Sequence, residues 1–229
     1  MEQLHNGFTL DLSRGGFPLS TDSVVLAGFT RPGPKAKLLD LGSGCGTLGL
    51  LLCAEDPNCH ITGVELDSNA HTAAVENIQR NGLAGRMESI CGDLRSVCDR
   101  FAPGSFTGCV SNPPYFSGGP ASASHATARR EDHCTLDDLF RSAAWAVKYG
   151  GDFFLVHRPE RLAEIFACAA RHSWEPKRLC LVRHKPDAPV SLVLIQCRKG
   201  GKPGLLWEDL ILHNSDGSPT EAYRKLYHL

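Results

Sequence analysis

Four residues in the segment Cys109–Gly119, CVSNPPYFSGG, are of types that could do chemistry: Asn112, Pro113, Pro114 and Tyr115. They follow an apolar run. Proline has no N–H for a strand ladder and fixes its own φ, and the residue before a proline is pushed toward an extended conformation. Asn112 to Tyr115 should therefore be a stiff piece whose amide, carbonyls and ring are held outward, a rigid set of polar groups at the tip of a strand.

A second constellation lies upstream. LLDLGSGCGTLGL places Gly42, Gly44 and Gly46 at a strand-to-helix turn, where glycine admits positive φ and lets a ligand approach the backbone. Gly44 to Gly49 also matches the dinucleotide fingerprint G-x-G-x-x-G, so a nicotinamide dehydrogenase has to be weighed. Asp40 argues otherwise, because a carboxylate ahead of the turn suits a cation and would repel a pyrophosphate. Glu65 stands 25 positions after Asp40 at the end of the next strand and can accept two ribose hydroxyl protons, with Leu66 beside it. Asp93, after a third strand, can accept from an adenine amine, while Asp67 reads as a helix N-terminal charge.

Alternating elements must position these groups. The periodicities predict strands over Lys37–Leu41, His60–Leu66, Met87–Cys91, Phe106–Ser111, Phe153–His157, Arg178–Arg183 and Leu192–Cys197, the last two pairing antiparallel. Helices are expected over Gly46–Ala54, Ser68–Arg80 with a Ser N-cap, Thr135–Tyr149 and Pro159–His172, with a short helical piece ending near Arg100. Such alternation predicts an α/β fold with a parallel sheet covered on both faces. Ligands of these sheets sit beyond the carboxyl ends of the strands, where strand order reverses. Four consecutive strand ends carry polar groups, which implies one shared site.

Composition sets the bounds. The 229 residues are 42% apolar with net charge −1, enough for one substantial core and without a global field for a polyanion. Arg158 to Lys202 nevertheless holds ten Lys/Arg against four Asp/Glu, either a solvated basic face or a nucleic-acid surface. The ten cysteines form no Cys-x-x-Cys and no zinc-spaced cluster, so no metal is expected. Cys53, Cys91, Cys109, Cys180 and Cys197 lie in apolar runs, as buried thiols do. With no signal-like N-terminus and no membrane-length apolar run, a soluble cytoplasmic protein is expected.

The D-x-G-x-G-x-G turn, Glu65 and NPPY together resemble class I Rossmann-like methyltransferases that use S-adenosylmethionine and act on nitrogen. The opening NGFTLDLSRGGFPLSTDSVVLAGF, the Phe116 and glycines after NPPY, and the ending SPTEAYRKLY narrow this further. They resemble the tRNA1(Val) (adenine(37)-N6)-methyltransferase family over nearly the whole chain. That resemblance implies a mostly parallel seven-stranded sheet with helices on both faces and an antiparallel last strand, in one domain spanning 1–229. It implies an extension, 1–34, covering the cofactor site and a substrate-side loop, 115–134. Ser20 to Ser23, including Thr21 and Asp22, would lie over the methionine end of the cofactor, where the sequence by itself reads a helix N-cap. Asn112 and the Pro113 carbonyl would each accept one N–H of a planar amine, aiming its lone pair at the methyl group, and Tyr115 would stack on its flat face. Phe116, Arg129, Arg130 and Arg158 would meet the tRNA. HATARREDHC departs from the family's loop after NPPY. A protein-glutamine methyltransferase, or one acting on rRNA or DNA, shares the NPPY chemistry and is the alternative, although the glutamine enzymes normally carry an additional N-terminal domain. A catalytically silent cofactor-binding module would have no use for both Asn112 and Glu65.

Overall fold

The computed structural model describes residues 1–13, 19–113 and 134–229. A two-stranded ribbon, β1 (Glu2–Gln3) and β2 (Thr9–Leu10), precedes α1 (Thr21–Phe29). Strands and helices then alternate as β3 (Lys37–Leu41), α2 (Thr47–Glu55), β4 (His60–Glu65), α3 (Ser68–Arg80), β5 (Met87–Cys91), α4 (Val97–Arg100) and β6 (Phe106–Ser111). After residue 134 come α5 (Leu136–Ala146), β7 (Val147–His157), α6 (Leu162–Arg171), β8 (Trp174–Arg183), β9 (Val190–Lys199), β10 (Leu206–Ile211) and α7 (Glu221–Tyr227).

The main sheet runs β5-β4-β3-β6-β7-β9-β8-β10. Every neighbouring pair is parallel except those of β9, which is antiparallel to β7 and β8. β4 and β5 are laid down on one side of β3, and β6 and β7 on the other, so strand order reverses between the tips of β3 and β6. Side chains alternate across the sheet. Leu38, Val110, Phe154 and Leu194 face a core shared with α1 and α2, whereas Leu39, Leu41, Cys109 and Leu155 face one shared with α5 and α6. Asp40 and Asn112, each two positions from Leu38 or Val110, therefore belong to the α1–α2 side.

Among the differences from expectation, three bear on the architecture. The helix expected over Thr135–Tyr149 keeps its Thr135 cap and capping box with Asp138 but ends at Ala146. Val147, β-branched and fully buried, pairs with Phe106 instead, and Gly150 takes φ +77° inside the strand rather than stopping a helix. α3 is capped by Asp67, whose carboxylate accepts from the Asn69 and Ala70 amides, so Ser68 is the first helical residue. The sheet also has an eighth strand. β10 adds itself in parallel to β8, and its exposed Leu206 and Trp207 break the alternation that would have marked it.

Cys53, Cys109, Cys180 and Cys197 are buried as expected, and burial pushes the Cys53 and Cys180 thiols up to about 11 and about 12. Cys91, at the tip of an edge strand, is exposed instead. Both termini are clasped to the end of α2, where His5 and His228 bring Nε2 to 3.1 and 2.8 Å from Glu55 Oε1. Their ligand atoms lie within 4.8 Å of one another, but the rings stack with centroids 3.8 Å apart. No helix among the described residues is long and apolar enough to cross a membrane.

Candidate cofactor and acceptor site

The turn after β3 is built for close approach. Gly42, Gly44 and Gly46 have φ of +75°, +55° and +86°, the left-handed region that side chains disfavour. A Cβ added at Gly42 or Gly44 would meet no described atom within 4 Å, so the backbone there borders open space. The Gly42 and Ser43 amides donate to the Val64 carbonyl, and the Gly44 amide donates to Glu65 Oε2 at 2.8 Å. Gly63, in β4, has no side chain because Ser43 occupies that space: a Cβ there would lie 2.6 Å from Ser43 Oγ.

Asp40 is the electrostatic centre of this turn. It is 1% exposed, and among the described residues its Oδ2 has no hydrogen-bond partner, as is true of Ser43 Oγ nearby. Burial, and after it the charge of Glu65, pushes the Asp40 carboxyl up to about 7. A buried carboxylate without a partner is costly, and a cation brought beside it would restore its charged form. The turn therefore fits a cofactor that carries positive charge and has little use for a pyrophosphate.

Glu65 is half-buried, with Oε1 accepting the Asp67 amide and Oε2 the Gly44 amide, both at 2.8 Å. Each oxygen keeps a second lone pair for a ligand hydroxyl. The carboxylate thus braces the turn as well as facing it, a role its position in the sequence did not reveal. Leu66 stays 55% exposed at the same strand tip. Asp93 caps a short 3-10 turn by accepting the Arg95 amide, and Arg95 also forms a two-pronged ion pair with it. Any ligand amine reaching Asp93 shares it with that arginine.

Ser111 and Asn112 stand across the switch point from the glycine turn. Ser111, fully buried, donates to the Leu41 carbonyl at 2.7 Å and locks the tips of β3 and β6 together. Asn112, half-buried, donates from Nδ2 to Ser23 Oγ at 3.0 Å. Its Oδ1 has no partner among the described residues. Pro113 is buried. Pro114, Tyr115, Phe116, Arg129 and Arg130, and all of the 115–134 loop but Cys134, lie outside the described residues.

Within the segment Ser20 to Ser23, the first turn of α1 reaches Asn112 through Ser23. Thr21 turns its hydroxyl toward Tyr227 of α7, 3.4 Å away, whereas Ser23, two positions and about 200° further round the helix, is the one bonded to Asn112. The spacing of Ser20 and Ser23, an N-cap and its third helical residue, was the available signal.

Arg158 follows β7, whose neighbour β6 carries Asn112, and it is exposed with its guanidinium donating to the Ser191 carbonyl. His157 before it is fully buried. Burial, with help from Arg161, pushes its ring down to about 4, and its Nδ1 accepts the Arg158 amide. The ring is thus neutral and carries its proton on Nε2. The basic run from Arg158 to Lys202 is largely spoken for. Arg171, Arg178, Arg183 and Arg198 pair with Asp137, Glu208, Asp209 and Asp152, and Lys199 donates to two carbonyls. Those four acids lie outside the run and offset most of the excess counted along the chain.

Comparison with known proteins agrees with this geometry. Residues 21–165 match the model of the methyltransferase small domain family. The chain is 33% identical to a tRNA1(Val) (adenine(37)-N6)-methyltransferase of Shewanella halifaxensis, over 76% of this chain and 70% of that protein. It is 30% identical to the protein of the same name from Vibrio vulnificus, over 96% and 90%. Its fold superimposes on a predicted O-methyltransferase of Agrobacterium tumefaciens with a TM-score of 0.76 at 22% identity, over 91% of this chain and 96% of that one.

Proposed function

This chain belongs to the tRNA1(Val) (adenine(37)-N6)-methyltransferase family, and on that premise we propose that it methylates the exocyclic N6 of an adenine in a tRNA anticodon loop. It is an S-adenosylmethionine-dependent methyltransferase. The observation that carries the finer reading is the Asn112 carboxamide, whose nitrogen end is tied back to α1 while its oxygen remains available at the tip of β6.

When bound, S-adenosylmethionine supplies an electrophilic methyl group on a positively charged sulfur. The chain's own residues do the rest. Asp40 and the turn of Gly42, Gly44 and Gly46 receive the cationic end, Glu65 takes ribose hydroxyls on its spare lone pairs, and Leu66 and Asp93 flank the adenine. Asp22, beside Thr21 in the extension formed by residues 1–34, closes over the methionine end. An adenine amine is a poor nucleophile because its lone pair is delocalised into the ring. Asn112 Oδ1 and the Pro113 carbonyl accept its two N–H groups and draw the nitrogen toward tetrahedral geometry. No strong base is required, because the displaced proton can leave to water after transfer. Tyr115 stacks on the base, a contact worth ~1–3 kcal/mol. Phe116, Arg129, Arg130 and Arg158 hold the flanking RNA, and a base already loosely stacked in a loop turns out at low cost.

The test is incubation of the purified protein with methyl-labelled cofactor and, separately, tRNA, total protein or DNA, followed by nucleoside analysis. Label in tRNA as N6-methyladenosine is expected; label in protein alone would exclude this reading.

A further inference from the structure

We propose that Ser23, acting with Ser20, is a positioning residue that decides which end of the Asn112 carboxamide meets the acceptor amine. This rests on the function proposed above. A carboxamide has a donor end and an acceptor end of nearly equal shape, and only the oxygen can take an N–H. Turned over, Asn112 would present its NH2 to the acceptor's N–H, donor against donor. The prolines stiffen the backbone but leave that last side-chain torsion, soft and roughly two-fold, undecided.

The tie that decides it comes from 89 residues earlier in the chain. Asn112 Nδ2 donates to Ser23 Oγ at 3.0 Å, and Ser23 is only 7% exposed, so water competes poorly for that bond. A hydroxyl both donates and accepts, so Ser23 alone would tolerate either end of the amide. Ser20 breaks the tie. Its Oγ lies 3.3 Å from Ser23 Oγ, and as N-cap it also accepts the Ser23 amide at 3.3 Å. Either hydroxyl can be the donor of that contact; assigning the proton to Ser23 leaves Ser23 Oγ as an acceptor for the NH2 end. The N-terminus of α1 thereby sets the polarity of an amide at the tip of β6, and the site is committed to a substrate that donates two N–H groups.

Wild-type transfer to tRNA is measured first, and its absence would count against the proposed function rather than against Ser23. In Ser23→Ala, kcat should fall about tenfold, the effect of one neutral hydrogen bond on a two-way orientation. Cofactor Kd and Tm should change little, and Ser23→Thr, which keeps the hydroxyl, should recover most of the rate. The Asn112→Asp background is the sharper control. A carboxylate has two equivalent oxygens and needs no orienting, so adding Ser23→Ala there should cost less than twofold. One readout needs no acceptor at all: the Asn112 side-chain NH2 resonances of the cofactor-bound protein should shift in Ser23→Ala and return in Ser23→Thr. Unmoved resonances, a Ser23→Ala kcat within twofold of wild type, or an equal loss in both backgrounds would overturn the assignment.

Discussion

Asn77 grips both polar groups of Asp11: its Oδ1 accepts the Asp11 N–H at 2.8 Å, and its Nδ2 donates to the Asp11 carbonyl at 3.1 Å. The same Nδ2 donates to the Cys45 carbonyl inside the glycine turn, and the side chain is fully buried. One turn on, Asn81 treats Thr9 in the same way. Two amides four apart thus meet alternate residues of an extended segment, beside the pairing of Thr9 and Leu10 with β1. Asn77→Ala removes three hydrogen bonds and strands buried backbone groups, so a loss of ~2–4 kcal/mol is expected in urea denaturation. Weaker cofactor binding should accompany it as the turn loosens.

Asp40 makes stability depend on pH in an unusual direction. The folded protein keeps a proton on this carboxyl up to about pH 7, where the unfolded chain would have released it near its ordinary 3.8. The stabilisation is therefore complete below that ordinary value and is lost as pH rises through about 7. Asp40→Asn should flatten this part of the curve of Tm against pH for the cofactor-free protein. A cation bound beside Asp40 favours its ionised form, so cofactor binding below pH 7 should release a proton. Calorimetry in buffers of different ionisation heat should show that release in the wild type and not in Asp40→Asn.

Ser43 and Gly63 share one volume. A methyl group at position 63 would sit 2.8 Å from Ser43 Cβ as well as against its hydroxyl, inside a turn held by hydrogen bonds. Gly63→Ala should cost ~1–3 kcal/mol and weaken cofactor binding. Ser43→Gly in the same chain should recover part of both losses, which paired melting curves and titrations would show.

Glu65 and Asn112 should separate binding from chemistry. Glu65→Ala strands the Gly44 and Asp67 amides as well as removing a ligand for the cofactor, so affinity by calorimetry should fall by tenfold or more. Asn112→Ala should abolish transfer while cofactor affinity stays near wild type. The opposite pattern would reverse the two roles.

Arg178 is expected to matter to folding and not to RNA. Its side chain is nearly buried, pairs with Glu208, donates to Gln196 and the Phe29 carbonyl, and lies over the Phe29 ring at 4.1 Å. Arg178→Ala removes these hydrogen bonds and the packing over Phe29 and should cost ~1–3 kcal/mol. At a temperature where the variant is still folded, its affinity for tRNA should match wild type in a salt titration.

Residue pattern alone determined the alternation of strands and helices, the glycine turn behind Asp40, and the strand that ends at Ser111 just before Asn112, because each is written within a few neighbouring positions: apolar period, glycine where φ must be positive, proline where a donor is dispensable. The larger departures came where a distant partner outbid local preference, as when Val147 left its helix to pair with Phe106, or when β10 joined β8 despite its irregular exposure. What tertiary structure decided was which side chains face one another. It offset most of the basic run with acids from outside it, turned Thr21 toward Tyr227, and sent Ser23 to Asn112. Hydrogen bonds and ion pairs act over about 3 Å in space and are indifferent to separation along the chain, so no local pattern could have marked those partners.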